Sequence, residues 1–199
     1  GFFQGEEITV SKKFEETYRK EWKEIMESLH SYPCIAIWVP FNEAWGQFKT
    51  KEITEWTKSM DRSRLVNSAS GGNYFDCGDI VDSHDYGIHP IMYMFNNQKV
   101  NVVGEYGGIG CAVDGHLWVK DKNWGYGKMR SQEEVTKRFV ELTNRFIDMT
   151  KYGCFGAIYT QTTDVEIEVN GLFTYDRKVL KVDEEKVREV NQKLSNIFN

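Results

Sequence analysis

From Ser11 to Leu29 the apolar residues Phe14, Tyr18, Trp22, Ile25 and Leu29 recur at steps of three and four. That repeat predicts a helix with one buried stripe, capped by Ser11 and closed near Tyr32-Pro33, because the residue before a proline avoids the helical region. The unbroken apolar run Cys34-Ile35-Ala36-Ile37-Trp38 then predicts a strand buried on both faces. Helical spacing returns over Thr50 to Met60, with Ile53, Trp56 and Met60 on one side. Three strand-like segments follow: Arg64 to Ser68, Asp79 to His84, and the β-branched run from Val100 to Glu105. Ser131-Gln132-Glu133-Glu134 has the form of a capping box. It opens the longest helix, whose stripe is Val135, Phe139, Leu142, Phe146 and Met149, with Gly153 as its stop. Phe155 to Gln161 reads as a last strand, and Asp183 caps a final helix with Val187, Val190, Leu194 and Ile197 inward.

The predicted order is helix, strand, helix, strand, strand, strand, helix, strand, helix. Apolar strands separated by helices imply an α/β fold with a parallel sheet and crossover connections. Five strands suit an open sheet or part of a barrel. No GxGxxG follows any strand and no phosphate-loop motif occurs, which argues against a nucleotide-binding doubly wound sheet. The loops are residues 1–10 (with Phe2 and Phe3 adjacent), 70–73, 107–128 and the polar segment 162–171. The glycine- and aromatic-rich segment 107–128, which holds His116, Trp118, Trp124 and Tyr126, is too long for a passive connection and is expected to cover a site. There is no internal repeat, low-complexity tract or interdomain linker.

Composition narrows the partners. The chain of 199 residues is large enough for one domain or a part of one, and a net charge of −5 does not suit a nucleic-acid surface. No apolar run approaches the roughly 20 residues of a membrane helix. No signal peptide is visible; location stays open, with a periplasmic or secreted setting expected if the parent protein degrades polysaccharide. Cys34, Cys77, Cys111 and Cys154 form no CxxC pair, so a structural zinc site is not expected, and Cys34 and Cys154 read as small buried hydrophobes.

Two strands finish in glutamates. Val39-Pro40-Phe41-Asn42-Glu43-Ala44-Trp45-Gly46 closes one, and Gly104-Glu105-Tyr106-Gly107-Gly108 closes another. Parallel α/β proteins place their chemistry at such ends. Paired carboxylates are what glycoside hydrolysis needs: one protonates the leaving oxygen, and in retaining enzymes the other attacks the ring carbon. An acid wants apolar neighbours that raise its pKa, which Phe41 and Trp45 supply beside Glu43 in sequence. A nucleophile wants hydrogen-bond donors, which glycine N–H groups and Tyr106 supply beside Glu105. Asn42 is placed to hold a substrate hydroxyl. Trp45, Trp118 and Trp124 are candidate sugar-stacking platforms, with loop anchoring as the equal alternative. His84, Asp85 and His89 match no metal-ligand spacing, and His84 is read as a substrate-site histidine. Asp164, Glu166 and Glu168 make an acidic loop, read as a solvated charge run of which one member binds sugar hydroxyls.

Taken together, Trp38 to Gln47, Ser83-His84-Asp85-Tyr86, Gly104 to Gly107, and Tyr159-Thr160-Gln161-Thr162-Thr163-Asp164-Val165-Glu166 resemble glycoside hydrolase family 2. That family includes β-galactosidases, β-glucuronidases and β-mannosidases. The resemblance implies a (β/α)₈ TIM-barrel type fold, partial here, with about strands four to eight. N-terminal β-sandwich domains and the first three strands would lie outside the chain. It implies Glu43, after the fourth strand, as acid/base and Glu105, after the seventh, as nucleophile. It places Tyr86 against the nucleophile and adds Tyr106, Tyr159, Gln161 and Asp164 to the substrate-binding set. It implies a carbohydrate substrate; no cofactor is expected, and no metal, since the residue spacing offers no ligand set. Phe41 departs from the glycine usual there in β-galactosidases, and the metal-ligand loops of those enzymes are not recognisable. The alternative is a non-catalytic carbohydrate-binding or structural barrel fragment. In either case the open barrel edges are expected to invite self-association.

Overall fold

The computed structural model describes residues 7–71, 73–92 and 95–198. Phe2, Phe3 and Gly72 lie outside the described residues. The elements are α1 (Lys12–Leu29), β1 (Ile37–Trp38), α2 (Thr50–Met60), β2 (Leu65–Val66), β3 (Ile80–Asp85), β4 (Val100–Gly107), α3 (Gln132–Thr150), β5 (Cys154–Thr160) and α4 (Glu184–Ser195). Their order is the one the hydrophobic pattern predicts. β1 and β2 pair in parallel, Ile37 opposite Leu65 and Trp38 opposite Val66. The remaining strands form a second sheet in the order β3-β4-β5, and among the described residues no barrel closes. The chain gathers into two compact units, Gly1–Ser83 with Tyr93–Val102, and His84–Met92 with Val103–Asn199.

In the first unit the Ser11 side chain accepts from the Phe14 N–H at 3.2 Å, so α1 starts at its predicted cap. The face it buries is rotated from the predicted stripe. Tyr18, Trp22 and Met26, four residues apart, lie in one row and point inward. Tyr18 stacks on Phe41 at 5.4 Å and gives its hydroxyl proton to the Pro40 carbonyl at 2.8 Å. Trp22 donates to Thr57 Oγ1 at 2.9 Å and meets Trp38 edge-on. Met26 packs with Trp38 and Val66. Ile25 and Leu29, expected inside, are exposed, since each sits beside that row rather than on it.

Two further expectations fail here for one reason. β1 is only two residues long, with Ile37 half-buried and Trp38 buried, rather than a run buried on both faces, and Cys34 is exposed rather than a buried hydrophobe. The side chains that α1 covers, Trp38 above all, are buried; those of Ala36 and Val39 are not. The end of β2 is held by polar contacts. Asp61, 3% exposed, accepts from Trp38 Nε1 at 2.9 Å, from the Ser63 hydroxyl at 2.6 Å and from Arg64 at 2.7 Å. The same guanidinium donates to the carbonyls of His30, Tyr32 and Ile35, fastening the exit of α1 to β2.

In the second unit Ser131 accepts from Glu134 N at 3.2 Å, while the Glu134 carboxylate reaches Arg130 N at 2.8 Å, one residue further back than a capping box. The predicted α3 stripe is buried throughout. Its Phe146 and Phe139 meet Tyr106 of β4 and Tyr159 of β5 at ring separations of 4.3 and 5.1 Å. Gly153 stops the turn after α3 with φ of 92°. Not all of β5 is covered: Phe155 and Ile158 are 56% and 58% exposed. α4 starts at Asp183, which accepts from the N–H groups of Glu185 and Lys186. Val190 is its buried anchor, and Ile197 lies exposed beyond its end.

Candidate active site

Glu105 sits near the end of β4, and a donor reaches it from the residue just after β3 rather than from Tyr106. Successive strand residues point to opposite faces. Tyr106, expected beside Glu105, is therefore buried in the sheet–helix core, where burial pushes its phenol up to about 12. The Tyr86 hydroxyl instead donates to Glu105 Oε2. Thr160 Oγ1 lies 3.1 Å from the same phenol oxygen, on the last residue of β5. Burial first, and the Glu105 carboxylate second, drive the Tyr86 phenol far above its ordinary range. It therefore stays protonated and serves as a donor. His84 Nδ1 lies 3.5 Å from Glu105 Oε2, its side chain 6% exposed. The turn that carries Tyr86 is fixed by Asp85, whose carboxylate accepts from Gly87 N at 2.7 Å and Ile91 N at 3.0 Å. Arg138 of α3 donates to the Ile88 carbonyl at 2.6 Å.

The long loop after β4 is strapped to its surroundings at both ends. Tyr126 N donates to the Gly108 carbonyl at 2.8 Å, and Met129 N to the Gly110 carbonyl at 2.7 Å. Trp124 exchanges backbone bonds with Ile167 and Val169 at 2.9 and 2.8 Å. Its indole meets Tyr126 edge-on at 5.6 Å and is partly exposed. Trp118 stands further off, edge-on to Tyr175 at 5.5 Å. His116 Nδ1 lies 2.9 Å from Asp176 Oδ2. The Thr174 hydroxyl, then His116, hold the Asp176 carboxyl down to about 2. Trp118 thus touches Tyr175, beside the His116–Asp176 pair, whereas Trp124 touches Tyr126, which stacks on Tyr86.

The segment after β5 takes its predicted residues inward. Tyr159 packs against Tyr106 and Phe139, and burial raises its phenol strongly. The Gln161 amide donates to Asn170 Oδ1 at 2.9 Å. Asp164, expected at the substrate, is 5% exposed and locked to Lys181 Nζ at 2.7 Å, with Gly171 N as a second donor at 2.7 Å. It holds the 161–181 segment together, while Glu166 and Glu168 remain more open to solvent.

Glu43 lies in the other unit, in the turn after β1. Asn42 bridges Ser70, and the N–H of Glu43 donates to the Ser70 carbonyl at 2.8 Å. Glu43 and Ala44 both have positive φ, 49° and 69°. Such backbone is costly for residues with a Cβ and concentrates at functional sites. The apolar neighbours expected around Glu43 are elsewhere: Phe41 is in the core with Phe48 and Ile53, and Trp45 is 78% exposed. His84, Asp85 and His89 do not gather into a metal cluster among the described residues, because Asp85 is turned to backbone N–H groups and His89 is exposed.

Sequence reasoning gave no site role to Tyr126 or Thr160. The glycines on both sides of Tyr126, and those at 107, 108 and 110, were the available signal, since they mark backbones that approach closely.

Helices between short strands, with a carboxylate near the end of one strand held by a tyrosine just after its neighbour, are the features of a barrel-type α/β protein. The profile of glycosyl hydrolases family 2, TIM barrel domain, matches residues 4–196, and the chain belongs to that family. Three solved structures share the fold. A β-glucuronidase from an uncultured Clostridium sp. aligns with a TM-score of 0.61 at 18% identity, over 97% of this chain and 38% of that one. The β-glucuronidase of Faecalibacterium prausnitzii gives 0.55 at 17%, over 92% and 35%. That of Parabacteroides merdae gives 0.58 at 14%, over 86% and 26%. The chain therefore spans between 26% and 38% of these structures' length. No curated protein sequence matches it. The architecture is that of a TIM-barrel domain, present as an open part.

Proposed function

We propose that this chain supplies the catalytic end of a retaining glycoside hydrolase acting on terminal β-glycosidic bonds, with Glu105 as nucleophile and Glu43 as acid/base. The observation that carries the reading is the Tyr86 hydroxyl bonded to one oxygen of Glu105. A hydrogen-bond donor on this carboxylate favours its charged form, the form that attacks the anomeric carbon. In the first step Glu43 gives its proton to the leaving oxygen as Glu105 forms a covalent glycosyl ester. In the second, Glu43 takes a proton from water, which displaces Glu105 from the sugar. In this reading Asn42 and His84 bind substrate hydroxyls, which their positions in the turn of Glu43 and beside Glu105 support. The half-exposed Trp124 offers an aromatic face to the sugar, as Trp45 does in the other unit. Family membership supports the carbohydrate class of the substrate; N-terminal domains and earlier barrel strands belong to the same proposal.

The test is intact-protein mass spectrometry after incubation with 2-deoxy-2-fluoro glycosides, including a glucuronide, a galactoside and a mannoside, followed by peptide mapping. Such sugars slow hydrolysis of the covalent ester. Labelling of Glu105, absent in Glu105→Gln, is the expected result, and the sugar that labels fastest indicates specificity. No labelling by any sugar, from folded protein, would assign the chain to non-catalytic carbohydrate binding.

A further inference from the structure

We propose that Tyr126 is a positioning residue for Glu105: its ring, laid flat on Tyr86, holds the Tyr86 phenol where it donates to the carboxylate. The inference rests on Glu105 being the nucleophile. The two rings are nearly parallel, with 6° between planes and centroids 3.7 Å apart. Aromatic pairs left to themselves prefer an offset or an edge, with centroids further apart. This near-eclipsed stack is therefore imposed from outside, and the backbone shows how.

Residues 124–126 lie as a short strap beside 108–110, through the bond from Tyr126 N to the Gly108 carbonyl and a parallel bridge between Ile109 and Tyr126. Glycines make that approach possible. A Cβ on Gly125 would stand 2.6 Å from Gly110 Cα, and one on Gly110 would stand 3.1 Å from Gly125 Cα. A Cβ on Gly108 would collide with the Tyr126 ring and come within 3.0 Å of the Tyr86 ring. Two rings are thus seated over a position that only glycine can occupy. Trp124 closes the outer side edge-on to Tyr126 at 5.6 Å, and its own backbone is tied to Ile167 and Val169.

The turn after Tyr86 is held through its backbone, and the Tyr126 stack adds a support at the ring. Tyr86 follows directly after β3 and leads into Gly87, Ile88 and His89, all exposed. Its hydroxyl is held by Glu105 and Thr160, whereas its ring is held flat by Tyr126. The donor must meet Glu105 Oε2, and a ring free to tilt would not hold it there. The long segment after β4 accordingly acts as a mechanical support, delivering one flat ring to the back of the phenol that serves the nucleophile.

The experiment uses the full chain and measures the rate constant for covalent labelling of Glu105 by the reactive 2-deoxy-2-fluoro glycoside. Tyr126→Phe keeps the ring and is expected to stay within about twofold of the unsubstituted protein. Tyr126→Leu is expected to slow the maximal labelling rate roughly 3- to 10-fold, the size of one aromatic pair, with the half-saturating glycoside concentration unchanged. In a Tyr86→Phe background no hydroxyl remains to be positioned, so Tyr126→Leu should add less than about twofold. Equal slowing in both backgrounds would mean a general disturbance and overturns the proposal, as does full-rate labelling of Tyr126→Leu. If Tyr126→Leu melts below the assay temperature, Tyr126→His takes its place in the same cycle. Failure of the active-site reading looks different: the unsubstituted protein is then not labelled at Glu105, which overturns both.

Discussion

Replacing Lys181 by methionine removes a charge from the inside of the second unit, and the structure sets the cost. The ammonium is 1% exposed, and the Asp164 carboxylate it meets at 2.7 Å is 2% exposed. It also donates to the carbonyls of Cys111 at 3.0 Å and Val169 at 3.1 Å. One side chain thus joins the start of the loop after β4, the segment after β5 and the approach to α4. Methionine fills similar volume but leaves a buried carboxylate without its cation and two carbonyls without their donor. Breaking a buried pair from one side costs about 3–5 kcal/mol, a large share of the roughly 5–15 kcal/mol that holds a domain folded. Pairing Lys181→Met with Asp164→Asn removes the stranded charge and should recover about 2 kcal/mol or more of that loss. Urea denaturation gives both numbers. The pH dependence adds a signature. Burial already pushes the Asp164 carboxyl up, and Lys181 opposes it. Without Lys181 the folded-state pKa rises further, so the folded variant binds the proton more readily than the unfolded chain. Its stability is fully present below the ordinary carboxylate range and is lost as pH rises through the raised value. The deficit relative to the unsubstituted protein should therefore shrink from pH 7 toward pH 5. A Lys181→Met protein within about 1 kcal/mol of the original at pH 7, or a double variant no more stable than the single, refutes the argument.

Asp61 works in the opposite sense: the Ser63 hydroxyl first, with Trp38 and Arg64, holds its carboxyl well below the usual range. Its stabilisation is present above the unfolded value and lost as pH falls toward the folded one, so thermal melts should drop below about pH 4. Asp61→Asn should be less stable at pH 6 and show a shallower acid loss; an unchanged acid profile would exclude this residue. Ser131→Ala removes the cap of α3 and should cost about 1 kcal/mol by denaturant titration, with no loss meaning that the Glu134–Arg130 contact suffices. Phe155 and Ile158 leave apolar surface of β5 exposed, so the chain should associate with rising concentration in light scattering. Changing both to serine should reduce that association, and concentration-independent monomers before substitution would dismiss the idea.

What could be read in advance follows the range of the interactions. Caps are local, and Ser11, Ser131 and Asp183 each start a helix where the pattern placed it. Which residues a helix or strand buries depends on what lies against it, so Met26 displaced Ile25 and Leu29, and β5 exposed Phe155 and Ile158. Glu105 shows the same limit at the candidate site. Its position at a strand end was visible from the run before it, but its donor was sought in Tyr106, which strand alternation turns to the other face. The donor that serves it, Tyr86, comes from just after another strand, and only the resemblance pointed there. Asp164 looked solvated because its neighbours Glu166 and Glu168 are acidic, while its partner Lys181 stands far along the chain. Tyr126 is the instructive case. No side-chain motif marked it, yet glycines at 108, 110 and 125 left room on two distant segments at once. Glycines matched across a long loop indicate that two backbones touch, and the aromatic residue between them is then the group that the contact delivers.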